Sequence, residues 1–363
     1  MPQKKILIFT PIFFGSGTGA ATYYQLLVKS LQKYNFSFTI VSETNNQNNR
    51  TKSFKYISLL PLRSGKNKQF LKDLFLYAWQ NLNYFRLFNI FSRAKYTSAL
   101  MHSSFYNHLS FFDVIIRILI KTNSDVTFIT DVRDVLLPQE QVKNLSVYKN
   151  VIACSKNIVE NLLQGGLSQA KIIHIPIPQA SIIINLDVGL RFQNDLDLKN
   201  ERYIFYAGMI KELKAVDLLL EIFVNYVQPQ DENIKLVLAG YLKTKNSEII
   251  ERLKAKNVVY LGNCSQEEVH CLTFHADLCV NLSPCESIAR SSLEAIALHR
   301  PVLLPPNIPE YLEHCPELVA TSRDPQVLAA QMMHILQTGI TANYPIELHD
   351  PERIAKQYYE LLS

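Results

Sequence analysis

The sequence has no run of about eighteen consecutive apolar residues, the length that a helix needs to span a bilayer. Lys4 and Lys5 precede an apolar stretch over residues 6–14, which resembles a signal peptide. Pro11 and the glycines after it favour instead a buried strand followed by a glycine-rich turn. Segments of low complexity are absent too. We therefore expect a soluble, globular, cytoplasmic protein.

The six cysteines form no C-x-x-C pair, and several lie in apolar runs where a thiol packs as a small hydrophobic group. A reducing compartment fits this usage best. His270, Cys271, His275 and Cys279 have the side chains of a metal cluster, but their spacing matches no common zinc pattern. We predict that they pack within helices and strands, and that the protein holds no metal and no cofactor.

Acidic residues are scarce in the first part of the chain. Residues 1–150 hold 13 Lys and 6 Arg against 7 acidic residues, a net charge of +12, whereas the remainder carries −7. A basic half suggests an anionic partner. Because its basic residues are scattered and match no nucleic-acid-binding motif, we expect a membrane surface or a phosphorylated acceptor rather than RNA or DNA.

One helical pattern, over residues 66–95, combines aromatic and basic side chains and contains the only tryptophan, Trp79. Basic residues beside exposed aromatics are typical of helices that bind anionic lipid. The apolar stripe alone is better explained by an ordinary core helix with solvated lysines. The uneven charge keeps the other interpretation open, a peripheral contact with the inner face of the plasma membrane.

A length of 363 residues, with 48% apolar and 19% charged residues, predicts two domains that each bury a core. Short β-branched runs alternate with helix-length amphipathic stretches, which is typical of parallel sheets. The predicted strands cover residues 5–10, 37–42, 98–101, 126–130, 151–153, 203–207, 235–239, 258–261, 278–281 and 301–304. A polar stretch near residues 186–202 interrupts the pattern. We predict domains over residues 1–180 and 181–345, with the final helix, within residues 346–363, able to pack back on the first.

A strand at residues 278–281, a turn and a helix over residues 288–298 form the most informative region. Ligands of parallel sheets bind at the carboxyl ends of strands, where a helix N-terminus offers N–H groups and a positive dipole end to a diphosphate. Glu286 and Glu294 are eight residues apart, which is roughly 12 Å along a helix. One carboxylate can hold a ribose diol and the other the hydroxyls of a sugar. Without other context, two such glutamates are more often solvated charges.

The stretch ADLCVNLSPCESIARSSLEAIALHRPVLLPPNIPE, residues 276–310, resembles the donor-binding segment of the family-four glycosyltransferases. That segment has two glutamates separated by seven residues, then alanine, a short loop and Pro-Val. Other stretches resemble the family in the same order: ACSKNIVENLLQGGLSQAKIIHIPIP, YAGMIKELKAVDLLLEIF, IKLVLAGY and VVYLGNCSQEEV. The resemblance implies the GT-B fold, an α/β architecture of two Rossmann-like, doubly wound parallel-sheet domains facing a central cleft. It also implies sugar transfer with retention and without a metal.

The resemblance implies roles for individual residues of the second domain. Lys214 would contact the diphosphate, Glu286 the donor sugar and Glu294 the ribose. The other donor-binding residues that it implies are Gly208, Asn263 beside the base, and the backbone amides of Ser287, Ile288, Ala289 and Arg290.

In the first domain the resemblance implies that a glycine-rich turn with Gly17 and Gly19 faces the diphosphate and the transferred sugar. Arg133, in the sequence TDVRD, stands where the family often has a histidine before an aspartate. We take it as a catalytic candidate beside Glu286 and Lys214. His102 follows a strand and matches that motif less well.

Two positions of the second domain also depart from the family pattern. Met209 follows Gly208 where the family usually has arginine, and Ala215 follows the lysine where it usually has glycine. One cation of the diphosphate site is therefore missing. Lys211 or Arg290 is a candidate replacement, and Arg290 is better placed because it lies near a helix N-terminus.

These features predict a retaining hexosyltransferase that uses UDP-glucose, a donor chosen by family frequency. The acceptor would be a growing envelope or extracellular polysaccharide or a lipid-linked saccharide. A nucleotide-sugar-binding protein that has lost transfer is the alternative from another class, and a UDP-sugar epimerase of the same fold is a third. A phosphorylase is disfavoured by the chain length. Asp195 and Asp197 form a D-x-D in the polar linker, where we predict no metal.

Overall fold

The computed structural model describes residues 3–10, 19–42, 54–58, 89–91, 95–103, 112–135, 137–185, 198 and 201–363. The chain forms two compact units, one of Met1–Pro178 with His349–Ser363 and the other of Gln179–Leu348. Each unit contains one sheet whose neighbouring strands are all parallel. The predicted α/β class with two parallel-sheet domains is confirmed.

Among its described residues, the first unit contains seven strands in the order β3-β2-β1-β4-β5-β6-β7. They are β1 (Lys4–Thr10), β2 (Phe36–Ser42), β3 (Phe54–Ser58), β4 (Ser98–His102), β5 (Thr127–Val132), β6 (Asn150–Ala153) and β7 (Ile172–His174). The helices described over residues 19–164 include α1 (Gly19–Leu31), α2 (Phe112–Thr122), α3 (Gln139–Asn144) and α4 (Lys156–Gln164). The core strand β1 is apolar without alternation and residues 6–9 are fully buried, as expected for a strand covered on both faces.

In the part of the second unit that the structure describes, five strands lie in the order β10-β9-β8-β11-β12. They are β8 (Tyr203–Ala207), β9 (Lys235–Ala239), β10 (Val258–Tyr260), β11 (Leu278–Val280) and β12 (Val302–Leu303). Its helices are α5 (Val216–Ile222), α6 (Ser247–Arg252), α7 (Gln266–His275), α8 (Arg290–Ala297), α9 (Pro309–His314) and α10 (Pro325–Thr338).

The last helix, α11 (Pro351–Leu362), belongs to the first unit. Asp350 caps its N-terminus by accepting a hydrogen bond from the Arg353 amide at 3.1 Å. One face buries an apolar stripe at helical spacing, which includes Tyr358 and Leu362. The Tyr358 hydroxyl hydrogen-bonds that of Tyr23 on α1, and the Leu362 carbonyl accepts from the Ser98 hydroxyl at 2.8 Å.

Strand order reverses direction once in each sheet, between β1 and β4 and between β8 and β11. Ligands of doubly wound sheets bind outside the carboxyl ends of the strands at such a reversal. In the second unit, Gly208 follows β8 and Asn281 follows β11. The reversal therefore brings the two sequence regions of the predicted donor site together.

Most of the predicted aromatic and basic helix at residues 66–95 lies outside the described residues, as does Trp79. Of that segment, Phe91 is buried and stacks on Phe9 and Phe128, with ring centroids 6.2 and 5.6 Å apart. Among the described residues, no helix combines the length and the apolar character needed to cross a membrane.

Candidate active site

Lys214 and Glu286, which are 72 residues apart in sequence, form an ion pair at the strand reversal of the second unit. Their side chains are 28% and 15% exposed, so solvent still reaches both charges. The Ser283 hydroxyl donates to the Leu213 carbonyl at 3.3 Å, which ties the two loops together. The structure thus assembles the cation and the first glutamate that the sequence predicted for a donor.

A left-handed residue positions the lysine. Lys214 ends a short 3-10 turn, and Ala215 follows with φ 53° and ψ 35° as the residue before α5. This conformation costs a residue with a Cβ roughly 1–2 kcal/mol, which glycine avoids. The family's preference for glycine at this position therefore has a conformational cause, and Ala215 keeps the same turn in spite of it.

Glycines lie at the carboxyl ends of three neighbouring strands. The Gly208 amide donates to the Ala239 carbonyl at 2.9 Å, and the Gly240 amide donates to the Gly262 carbonyl at 2.7 Å. Gly240 has φ +143°, and a Cβ there would lie 1.8 Å from the Gly208 carbonyl oxygen. A Cβ on Gly208 would lie 2.8 Å from the Tyr206 hydroxyl oxygen. Only glycine fits at position 240, which sequence analysis did not single out although it lies in the quoted stretch IKLVLAGY.

Helix α8 begins at Arg290, two residues later than the sequence predicted. Ile288 and Leu293 are both buried at positions typical of a hydrophobic staple, so Ile288 packs in the core before the helix starts. Ala289 at the N-cap gives no side-chain hydrogen bond. The amides of the first turn therefore lack a capping side chain, and this end of the helix suits an anion. Glu286 and Ser287 lie in the half-buried loop just before it.

Glu294 lies in the second turn of α8 and is 5% exposed. In the part of the chain that the structure describes, no hydrogen bond reaches its carboxylate. A buried carboxylate without hydrogen-bond donors is costly. The hydroxyls of a sugar or a ribose would supply such donors, so the environment of Glu294 favours a ligand.

Asn263 and Tyr206 border this edge of the sheet. Asn263 is exposed and follows Gly262, at the end of β10. The Tyr206 hydroxyl donates to the Met209 carbonyl at 3.1 Å. Burial raises the pKa of Tyr206, and the Glu286 charge adds to this rise. Tyr206 therefore keeps its proton and holds the backbone of Met209 where the family has arginine.

Arg133 lies in the first unit, just beyond the carboxyl end of β5. Its Nε and one terminal nitrogen donate to Asp131 Oδ2 at 3.1 and 2.9 Å, and the Tyr24 hydroxyl donates to the same oxygen at 3.1 Å. The guanidinium also lies 3.0 Å from the centroid of the Tyr23 ring. Arg133 is thus engaged in a network of buried side chains, and its predicted catalytic role stays a prediction.

His102, the weaker candidate, ends β4 and is 4% exposed. Burial, together with the Arg133 charge, lowers the pKa of His102 to about 3. The imidazole is therefore neutral at neutral pH. Gly19 is the first residue of α1, whereas Gly17 lies outside the described residues.

No group of three or more His, Cys, Asp or Glu side chains among the described residues is arranged to hold a metal ion. Cys271 and Cys279 are buried on α7 and β11. Asp195 and Asp197 fall outside the described residues.

A sequence model described as "Glycosyl transferases group 1" matches residues 201–338, which include the whole of the assembled site. No curated protein matches the chain. The family resemblance read from the sequence is thus confirmed over the second unit.

Solved structures match the whole chain in fold. Sucrose-phosphate synthase from Thermosynechococcus elongatus has 15% identity and a TM-score of 0.74, with 99% of this chain and 98% of that chain covered. HepE from Anabaena, in complex with UDP-glucose, has 13% identity and a TM-score of 0.65, with coverages of 99% and 96%. A glycosyltransferase from Rickettsia africae has 15% identity and a TM-score of 0.71, with coverages of 100% and 94%. Residues 201–338 therefore resemble the group 1 glycosyl transferases, in a chain that has the GT-B fold predicted from its sequence.

Proposed function

We propose that this protein is a retaining hexosyltransferase that uses UDP-glucose as its donor. The observation that carries the proposal is the arrangement of Lys214, Glu286 and Glu294 around the uncapped N-terminus of α8, at the strand reversal of the second sheet. A cation, the amides at the N-terminus of α8 and two carboxylates match the diphosphate and the two sets of hydroxyls of a nucleotide sugar.

Each group has one task in the proposed reaction. The α8 amides and the Lys214 ammonium bind the diphosphate and stabilise the charge that develops on it as the glycosidic bond breaks. Glu294 holds the ribose hydroxyls, and Glu286 holds hydroxyls of the transferred sugar. Asn263 flanks the base. The protein acts mainly by positioning donor and acceptor, while the leaving diphosphate accepts the acceptor's proton.

The choice of donor is supported by structures of the same fold. HepE of Anabaena was solved with UDP-glucose, and a structure from E. coli was solved with UDP-2-fluoro glucose. We extend these donors to this chain by analogy of fold, together with the two glutamates that the site contains.

A thermal-shift series with UDP, GDP, ADP and their glucose conjugates tests this proposal. A ligand that binds only the folded state stabilises it by about 2.7 kcal/mol at a concentration of 100 Kd. We expect UDP and UDP-glucose to raise the melting temperature most, and Lys214→Met to abolish most of that rise. If no nucleotide raises it in the wild-type protein, the proposed function is wrong.

The missing cation gives a second test. We propose that Arg290 compensates for Met209, because it is the first residue of α8 and lies half-buried beside the proposed diphosphate site. Arg290→Ala should weaken UDP binding at least about tenfold, whereas Arg323→Ala, at an exposed arginine of the same unit, should not. Unchanged UDP affinity in Arg290→Ala would exclude this compensation.

Met209 and Ala215 also support a second candidate, a nucleotide-sugar-binding protein without transfer activity. The two functions differ in turnover. Slow release of glucose from UDP-glucose in the absence of an acceptor would establish the enzyme, whereas tight binding without release under any acceptor would favour the binding protein.

We further propose that the acceptor is an envelope or extracellular polysaccharide or its lipid-linked precursor, used at the cytoplasmic face of a membrane. The support is the net charge of +12 over residues 1–150. Sedimentation with vesicles of anionic or zwitterionic lipid tests the location. The full chain should bind only the anionic vesicles and should be released by high salt, because salt screens surface charge.

A further inference from the structure

His270 lies against Glu294 and has no role in the proposed reaction. It lies on α7, whose start is fixed by a capping box between Ser265 and Glu268. The His270 Nε2 atom lies 3.5 Å from Glu294 Oε1, and the two side chains are 13% and 7% exposed. Two separate helices thus bring an imidazole and a carboxylate together inside the second unit.

The His270 Nε2 atom is buried and, in the described part of the chain, makes no hydrogen bond. A polar atom in that position costs stability. Glu294 likewise has no hydrogen bond to its carboxylate there. The fold therefore keeps two polar groups side by side, 3.5 Å apart, and hydrogen bonds in functional sites are often this long before the ligand binds.

Cys279 is a further ionisable side chain beside Glu294. Burial raises the pKa of the Cys279 thiol to about 12, with Arg300 lowering it and Glu294 raising it. The thiol is therefore uncharged at neutral pH and offers only a weak hydrogen bond. His270 is the stronger donor toward the carboxylate.

We propose that His270 is a positioning residue for Glu294, which rests on the proposed function. The His270 N–H donates to Glu294 Oε1 when donor binds and holds the carboxylate in one orientation. The other carboxylate oxygen then faces the ribose diol. A carboxylate has about four acceptor sites, so it can accept from the imidazole and from two hydroxyls at once. His270 thereby determines how strongly the site distinguishes a ribose from a sugar without hydroxyls.

Binding of UDP and of 2′,3′-dideoxy-UDP by the full chain tests this role, with calorimetry as the measurement. His270→Leu should weaken UDP binding about tenfold or more, since a hydrogen bond to a charged group is lost, but should leave binding of dideoxy-UDP within about twofold. His270→Gln places an amide N–H near the position of Nε2 and should restore most of the affinity. His334→Leu, at an exposed histidine on α10, is the matched control.

A double-mutant cycle separates this inference from the proposed function. In a Glu294→Gln background, His270→Leu should change UDP affinity by less than about twofold, because the two residues act as one unit. If Glu294→Gln itself leaves UDP affinity unchanged, the proposed ribose role of Glu294 fails. If Glu294→Gln weakens binding and His270→Leu does not, only the inference fails. Equal losses for UDP and dideoxy-UDP, or no rescue by glutamine, would show a structural role instead and overturn it.

Discussion

The two sheets have the same kind of strand reversal, yet their carboxyl edges differ in how their charges are satisfied. In the first unit, the Asp131 carboxylate accepts from Arg133 and Tyr24, and Tyr23 pairs with Tyr358. In the second unit, α8 has no side-chain cap and the Glu294 carboxylate receives no hydrogen bond within the described residues. A strand reversal thus provides a site for a ligand. The side chains around it determine whether its charged groups are hydrogen-bonded within the protein or remain available to a ligand.

Burial explains why the difference matters. A fully buried charge must be paired and hydrogen-bonded, or it destabilises the fold. The first edge meets that demand at Asp131 Oδ2, so Arg133 and Tyr24 contribute to stability, although Asp131 Oδ1 receives no hydrogen bond among the described residues. The second edge meets it only in part, so its polar residues are available for binding. Substitutions at the two edges should therefore have different effects on stability and on binding.

The largest expected effect is on the first edge. Asp131→Ala leaves the mostly buried Arg133 guanidinium without its anion, which should lower the free energy of unfolding by about 3–5 kcal/mol. Urea unfolding of the full chain measures this. Asp131→Leu combined with Arg133→Met should recover much of the loss. An unchanged unfolding midpoint in Asp131→Ala would show that the first edge is not held by this pair.

Lys214→Met, at the carboxyl edge of the second sheet, should lower activity strongly and change stability little. We expect release or transfer of glucose to fall about 10²- to 10³-fold, because a cation that stabilises the leaving diphosphate is lost. The free energy of unfolding should change by less than about 1 kcal/mol, since the ion pair with Glu286 is partly exposed. Lys243→Met, at an exposed lysine in an adjacent loop, is the control. A large loss of stability with little loss of activity would reverse the assignment.

Gly240→Ala should distort the backbone at the carboxyl edge of the second sheet. The new Cβ would overlap the Gly208 carbonyl oxygen, and we expect a loss of about 2–4 kcal/mol. Gly339 also has a positive φ, of +65°, but has open space around it. Gly339→Ala should therefore cost only about 1 kcal/mol. Equal effects in thermal unfolding would mean that φ alone, and not the close approach of two strand ends, requires glycine at position 240.

The pH dependence of stability should show that His102, at the carboxyl edge of the first sheet, is buried in its neutral form. Its pKa is about 3 when folded and about 6.5 when unfolded. Between these values the unfolded chain binds a proton that the folded chain does not, so stability is fully present above about pH 6.5 and is lost as pH falls, by up to about 1.4 kcal/mol per unit. Urea midpoints from pH 7.5 to 4.5 should fall less steeply for His102→Gln. Identical slopes would contradict the neutral buried imidazole.

The smallest expected effect is a gain. Ala215→Gly removes the strain of the left-handed residue after Lys214, and the greater freedom of glycine in the unfolded chain offsets part of it. We expect a net gain of about 0.5–1 kcal/mol in thermal unfolding. UDP affinity should stay the same, because Ala215 already holds the turn. A drop in stability would show that the turn is not strained.

The sequence predicted the positions of most strands, because the apolar pattern of a strand depends only on neighbouring residues. All ten predicted strands are present, each with ends within two residues of the prediction. The edge strands β3 and β7 are not among these ten, because the five residues of β3 lie in a mixed polar context and β7 has only three residues. The predicted start of α8 is two residues too early. Ile288 is apolar, and the sequence pattern does not distinguish an apolar residue inside a helix from one that packs just before it.

Sequence reasoning also indicated which second-unit residues to examine, since the spacing of Glu286 and Glu294 and the resemblance around Lys214 are properties of short stretches. It gave no sign of the pair between His270 and Glu294. His270 entered the sequence analysis only as a weak metal ligand, because a contact between two helices has no fixed spacing along the chain.

By itself, then, the sequence determined the two parallel sheets, the glutamate pair and the departures at Met209 and Ala215, since periodicity and motif spacing are local properties. Only the tertiary structure decided that α11 joins the first unit, that Gly240 must be glycine, and that Arg133 is engaged by Asp131 while Glu294 is not engaged by a donor. Those outcomes depend on which side chains fill the space around each charge. That is set by the packing of segments far apart in sequence.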